Sequence, residues 1–80
     1  MNIRIICCFN GIKKFIVLDK NLSFKDNLDL IKIKMSIPSL TNITMVHKTF
    51  DIQIEYLEDL RDNDVVEINV VSRDQHSSYI

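Results

Sequence analysis

Ile3-Arg4-Ile5-Ile6-Cys7-Cys8-Phe9-Asn10-Gly11-Ile12-Lys13-Lys14-Phe15-Ile16-Val17-Leu18 is the stretch that decides the fold. Two strand-forming runs flank Asn10-Gly11, the preferred pair for a two-residue type I′ turn, in which both central residues take positive φ. Gly11 is the only glycine in 80 residues, which puts it where only glycine serves. A two-residue turn fixes the register. Phe9 opposes Ile12, Cys7 opposes Lys14, Ile5 opposes Ile16 and Ile3 opposes Leu18. Alternation then sorts the side chains. Ile3, Ile5, Cys7, Ile16 and Leu18 form the inward set. Arg4, Ile6, Cys8, Phe15 and Val17 form the outward set. Both sets are largely apolar, which is unusual for a sheet with one wet face.

Working outward from the hairpin, strand one spans Ile3 to Phe9 and strand two Ile12 to Asp19. Ser23 followed by Asp26 has capping-box spacing, with Asp in place of Glu or Gln, and Leu22 precedes the cap as a staple. Phe24, Leu28, Ile31 and Met35 fall at helical spacing and form one apolar stripe. Lys25, Asp29 and Lys32 are expected on the opposite, solvated side. Lys32 and Lys34 suit the negative pole of the helix. Ile37-Pro38 is expected to end the helix, because the residue before proline avoids the α region. Thr41 to His47 reads as a third strand with Ile43 and Met45 inward. A short fourth strand follows around Phe50 and Ile52. Tyr56 to Asp62 reads as a short helical turn anchored by Leu57 and Leu60. Asn63-Asp64 is a turn, and Val65 to Val71 is a last strand carrying Val66, Ile68 and Val70 inward. Residues 72–80 are a polar tail or the start of a linker.

The bulk numbers narrow the class. Eighty residues make one domain, 1–71, followed by that tail. With 46% hydrophobic and 26% charged residues the chain is globular, not disordered. No run approaches the roughly 20 apolar residues of a membrane span, so no membrane insertion is expected. The N-terminus has no signal-peptide pattern, since Arg4 and the Asn10-Gly11 turn interrupt it. Cys7 and Cys8 are adjacent and cannot form an ordinary disulfide with each other, and reduced thiols suit an intracellular protein, cytoplasmic or nuclear. Net charge is −1 but uneven: residues 1–40 hold seven Lys/Arg and three Asp/Glu, residues 41–80 three and eight. A mixed solvated surface accounts for this. The sharper reading is a basic face and an acidic face that associate head to tail.

The order of hairpin, capped helix, proline stop, two short strands, helical turn and final strand, over Met1 to Val71, resembles the ubiquitin-like β-grasp superfamily. The stretch Leu57-Glu58-Asp59-Leu60-Arg61-Asp62-Asn63-Asp64-Val65-Val66 carries most of the likeness. Its Leu-Arg-Asp-Asn-Asp portion looks like the end of domains of the doublecortin and plant potassium-channel C-terminal kind. The resemblance implies an α+β fold, a mixed sheet of four to five strands packed on one helix. Conjugated and sulfur-carrier members of the superfamily end in Gly-Gly. This chain has no glycine after Gly11, so it is expected to be non-conjugated. The positions matching ubiquitin's apolar recognition patch are Thr44, Glu67 and Asn69, all polar.

Candidate chemistry is sparse. His47 and the cysteines do not form a spacing that suggests a nucleophile and base, and His47 is expected on a surface turn. Two adjacent cysteines and two distant histidines do not make a zinc site. Asp59, Asp62 and Asp64 lack the glycine and terminal glutamate of an EF-hand loop. A phosphate loop needs more than one glycine. Lys13, Lys14, Lys20, Lys25, Lys32 and Lys34 make only a mild basic patch, short of what nucleic acid requires. No catalytic residue, cofactor or metal is therefore expected. The best candidate is the outer hairpin face. Ile6 and Phe15 are cross-strand partners, with Val17 diagonal and Cys8 alongside, and Arg4, Lys13 and Lys14 give orientation. Coverage of this patch by Met1, the tail or a loop is the competing reading.

The sequence thus points to a non-enzymatic, ubiquitin-like protein-binding module, with a second copy of itself among the candidate partners. Two alternatives stand beside it: a free, non-conjugated adaptor, and a carrier or regulatory subunit whose reactive terminus is absent.

Overall fold

A computed structural model describes residues 2–71; Met1 and residues 72–80, including the expected tail, lie outside the described residues. The elements are β1 (Asn2–Phe9), β2 (Ile12–Asp19), α1 (Phe24–Lys34), β3 (Asn42–His47), β4 (Ile52–Ile54), a 3-10 turn (Leu57–Asp59) and β5 (Val65–Val71). The strands form one five-stranded sheet in the order β2-β1-β5-β3-β4. β1 and β5 are parallel, while the β1–β2, β3–β5 and β3–β4 pairs are antiparallel. The class is α+β, a mixed sheet with one helix, an arrangement compatible with a β-grasp. No helix among the described residues is long and apolar enough to cross a membrane.

The hairpin forms in the expected register, Phe9 opposite Ile12 through Ile3 opposite Leu18. Asn10 and Gly11 take φ of 52° and 76°, the pair of positive values that a type I′ turn demands. The inward set is buried as read from alternation, and it packs with Ile31, Met35, Ile37, Ile43, Met45, Ile54, Leu57, Leu60, Val66 and Ile68. Phe24 and Leu28 only border this core.

Ser23 caps the helix, its Oγ accepting from the Asp26 N–H at 3.0 Å. The stop differs from the expectation. Ser36 takes φ of 61°, and the N–H of Ile37 donates to the Lys32 carbonyl at 2.8 Å while that of Ser36 donates to Ile33 at 3.3 Å. This pair of bonds is a Schellman turn with serine in the left-handed position that glycine usually fills. The helix has ended before Ile37-Pro38 is reached.

Four further placements correct the sequence reading. Lys32, expected in solvent, is buried at 8% exposure. Its Nζ donates to the carbonyls of Ser39 and Thr41 at 2.8 and 3.0 Å and meets Asp29 Oδ1 at 3.0 Å. A buried ammonium needs such partners, and the loop after the helix supplies them. His47, expected on a surface turn, is buried at 6% in β3. Val70, expected in the core, is 50% exposed, near the end of β5 opposite Ile43. Phe50 lies in the turn before β4 instead of within it, and its ring sits 4.9 Å from that of His47.

Candidate functional site

Pairing across the sheet decides which side chains share its outer face. In one row Phe15 of β2 opposes Ile6 of β1, and Ile6 opposes Val65 of β5. In the next row Lys13 opposes Cys8, Cys8 opposes Glu67, and Glu67 opposes Val46 of β3. Phe15 and Val17 are 63% and 50% exposed, Ile6 and Val65 are half-buried, and Cys8 is buried between its neighbours. The first row is therefore an apolar band three strands wide, open at its β2 end.

Arg4 frames this band. Its guanidinium carbon stands 4.7 Å from the centre of the Phe15 ring, a cation–π contact. The same side chain donates to Asn63 Oδ1 at 3.0 Å, and the backbone of Arg4 is held by Asp62 and Asn63, with bonds of 3.1 Å to Asp62 Oδ1 and 2.6 Å from the Asn63 N–H. The turn before β5 thus fixes Arg4, and Arg4 fixes Phe15. That chain of contacts gives the Arg61-Asp62-Asn63-Asp64 segment a structural task. Asp64 Oδ2 accepts from the Arg61 N–H at 2.8 Å and lies 3.2 Å from His47 Nε2.

Of the residues that the sequence assigned to a binding face, Arg4, Ile6, Cys8, Lys13, Phe15 and Val17 come together on the outer face. Lys14 stands apart. It belongs to the inner side, and its Nζ donates to the Lys34 carbonyl at the end of α1, 3.1 Å away. There it satisfies a helix C-terminus instead of facing a partner on the outer face. Thr44 opposes Asn69, and both lie with Glu67 on the half of the outer face away from the hairpin. That half is polar where the hairpin half is apolar, apart from Val46 and Val71.

Cys7, Val66 and His47 form one row on the inner face, with Val66 between the other two. The thiol and the imidazole therefore do not meet. Burial, with a smaller contribution from Cys8, pushes the Cys7 thiol up to about 12, the opposite of an activated nucleophile. His47 Nδ1 is enclosed without a hydrogen-bond partner among the described residues, under the Phe50 ring.

Other depressions mark the surface of the described residues. A shallow groove of about 610 Å³ runs between α1 and the loop after it, bounded by Leu28, Ile33 and Leu40. A smaller apolar one of about 280 Å³ lies over His47, Phe50, Ile52 and Ile54. The groove also carries Lys25, Asp29 and Lys32, but these charges are spent on one another, Asp29 meeting Lys32 at 3.0 Å and Lys25 at 3.8 Å. Comparison of the chain with models of known protein families and with curated proteins finds no match.

Proposed function

We propose that this chain is a non-enzymatic ubiquitin-like β-grasp module that binds another protein through the outer face of its N-terminal hairpin. The observation that carries the reading is the apolar row Phe15–Ile6–Val65, framed by Arg4, on a sheet face that the helix leaves uncovered. A wet sheet face is ordinarily polar, and contiguous apolar area at about 25 cal/mol per Å² is enough for a contact of useful strength. The fold part of the proposal is supported by the strand order β2-β1-β5-β3-β4 with its parallel central pair, together with the capped helix after the hairpin. The non-enzymatic part is supported by the separation of Cys7 from His47 and by the raised thiol of Cys7.

The test is affinity capture from native lysate with three baits: the unmodified chain, Phe15→Asp, and Ile33→Asp as a control on the exposed side of α1. Partners should be lost with Phe15→Asp and retained with Ile33→Asp, while circular dichroism shows all three folded. The same partners on all three baits would place the binding surface elsewhere.

A further inference from the structure

We infer that two copies of this chain pair antiparallel through the open edge of β2, about a two-fold axis at Phe15. The inference rests on the reading of the outer hairpin face as the binding surface and names a second copy as the partner that extends that face across the β2 edge.

The sheet has two edges, β4 and β2. β4 is three residues long and offers little template. β2 is eight residues long, and among the described residues no strand pairs with its outer side. Long open edges invite pairing, and proteins ordinarily blunt them.

The type I′ turn dictates which backbone groups point outward. Phe9 and Ile12 flank a two-residue turn and exchange hydrogen bonds, and the pattern alternates from there. Ile12, Lys14, Ile16 and Leu18 therefore face β1. Lys13, Phe15, Val17 and Asp19 direct their N–H and C=O groups to the open edge. Asp19 bears this out, because its N–H and carbonyl are both taken by the Asn27 side chain at 2.9 Å. Asn27 plugs the edge at that point. The usable edge is thus Ile12 to Leu18, and its midpoint is Phe15.

Only one register uses all of that edge against itself. With Phe15 opposite Phe15 of the second copy, Lys13 meets Val17, Val17 meets Lys13, and Ile12 meets Leu18. Gly11 of each copy then falls opposite Asp19 of the other, so the hairpin turn ends the strand where the Asn27 plug begins. Shifting the centre to Ile16 would ask Asp19 for hydrogen bonds it has already given away. Shifting it to Lys14 would oppose two lysines.

The side chains agree with this register. Directly opposed residues in an antiparallel pair share a face, so both apolar outer rows become continuous across the two-fold. Phe15 stacks beside Phe15, each under its own Arg4. Lys13 is diagonal to Asp19 of the other copy, within reach of a long side chain, and no like charges are directly opposed. A two-fold pairing consumes the long edge and leaves only β4 exposed, so it closes as a dimer and does not propagate.

The test uses the full 80-residue chain. Sedimentation velocity over a concentration series should show a monomer–dimer equilibrium. Val17→Pro removes an edge-facing N–H without touching the β1 ladder, a change edge strands tolerate, and it should weaken association about tenfold or more. Register is read by oxidative cross-linking. Phe15→Cys brings two Cα atoms to about 5.5 Å, within disulfide range, and should cross-link readily. Val17→Cys leaves its pair about 14 Å apart and should not. The unmodified chain, whose own cysteines are buried, is the background. Equal cross-linking by both variants overturns the register. A chain that stays monomeric to millimolar concentration overturns the pairing altogether. If that monomer still loses a captured partner on Phe15→Asp, the binding face survives and only the pairing with a second copy falls.

Discussion

The carboxamide of Asn27 closes both outward backbone bonds of Asp19: Oδ1 accepts from its N–H at 2.9 Å and Nδ2 donates to its carbonyl at 2.9 Å. A helix side chain thereby acts as the missing strand at the end of β2. Nδ2 also donates to the Ser23 carbonyl at 3.0 Å, so one buried amide joins strand, helix cap and the loop between them. Asn27→Ala is expected to leave the Asp19 N–H without a partner, while the Asp19 carbonyl keeps the Leu22 N–H at 3.0 Å. An orphaned donor costs about 1–3 kcal/mol, so the variant should lose at least about 1 kcal/mol in urea unfolding. A loss below 0.5 kcal/mol would mean that water replaces the amide and that the junction is not enclosed.

Asn27 also shows where sequence reading stops. The hairpin was legible because one dipeptide fixes turn type, and turn type fixes register. The apolar stripe Phe24-Leu28-Ile31-Met35 was legible because its period is helical, although only Ile31 and Met35 reach the core and Phe24 and Leu28 border it. Asn27 and Lys32 sit at the two borders of that stripe, at positions that geometry makes half-inward. Whether such a border residue is buried depends on which carbonyls arrive from elsewhere. Asp19 arrives for Asn27; Ser39 and Thr41 arrive for Lys32. Those partners are set by tertiary folding, which periodicity does not encode. His47 is the same case, its ring drawn inward by Asp64 from the turn before β5. The outer-face residues were legible from alternation, except Lys14, whose parity already assigned it to the other side.

Lys32 invites a test of that tertiary dependence. Its ammonium holds the loop after α1 by two carbonyls and pairs with Asp29. Lys32→Met keeps the aliphatic stem and removes the donor. Two carbonyls lose their donor and Asp29 keeps only Lys25, 3.8 Å away; a loss of about 1–3 kcal/mol is expected, with Ser39 and Thr41 amides exchanging faster in NMR hydrogen exchange. The Lys32 hydrogen bond, aided by the charges of Lys25 and Lys32, holds the Asp29 carboxyl below the usual carboxylate range. A lowered folded-state pKa gives stability that is present above the unfolded value and lost as pH falls through the folded one. Acid should therefore erode the unmodified chain more than Asp29→Asn below about pH 4. Parallel acid curves for the two would show that the pair contributes nothing to folding.

Cys7 carries the opposite sign at the alkaline end. Its thiol is raised from 9.0 to about 12, first by burial and then by Cys8. A thiol that stays neutral in the folded state but ionises in the unfolded chain stabilises the fold fully below pH 9. That contribution is lost as pH climbs from 9 toward 12, because the unfolded state gives up its proton first. At one pKa unit per 1.36 kcal/mol, the loss by pH 11 is on the order of 3 kcal/mol. Lysine and tyrosine titrate in the same range, so the measurement is a difference. Cys7→Val fills the same site beside Val66 without an ionisable group. Urea midpoints taken at pH 8 and pH 11 should fall further for the unmodified chain than for Cys7→Val. At pH 8 iodoacetamide should leave Cys7 untouched in the folded protein and modify it once urea unfolds the chain. Equal alkaline losses in the two proteins, or rapid alkylation of the folded one at Cys7, would mean that the thiol reaches solvent. The inner face of the hairpin would then be less closed than its pairing with β5 makes it.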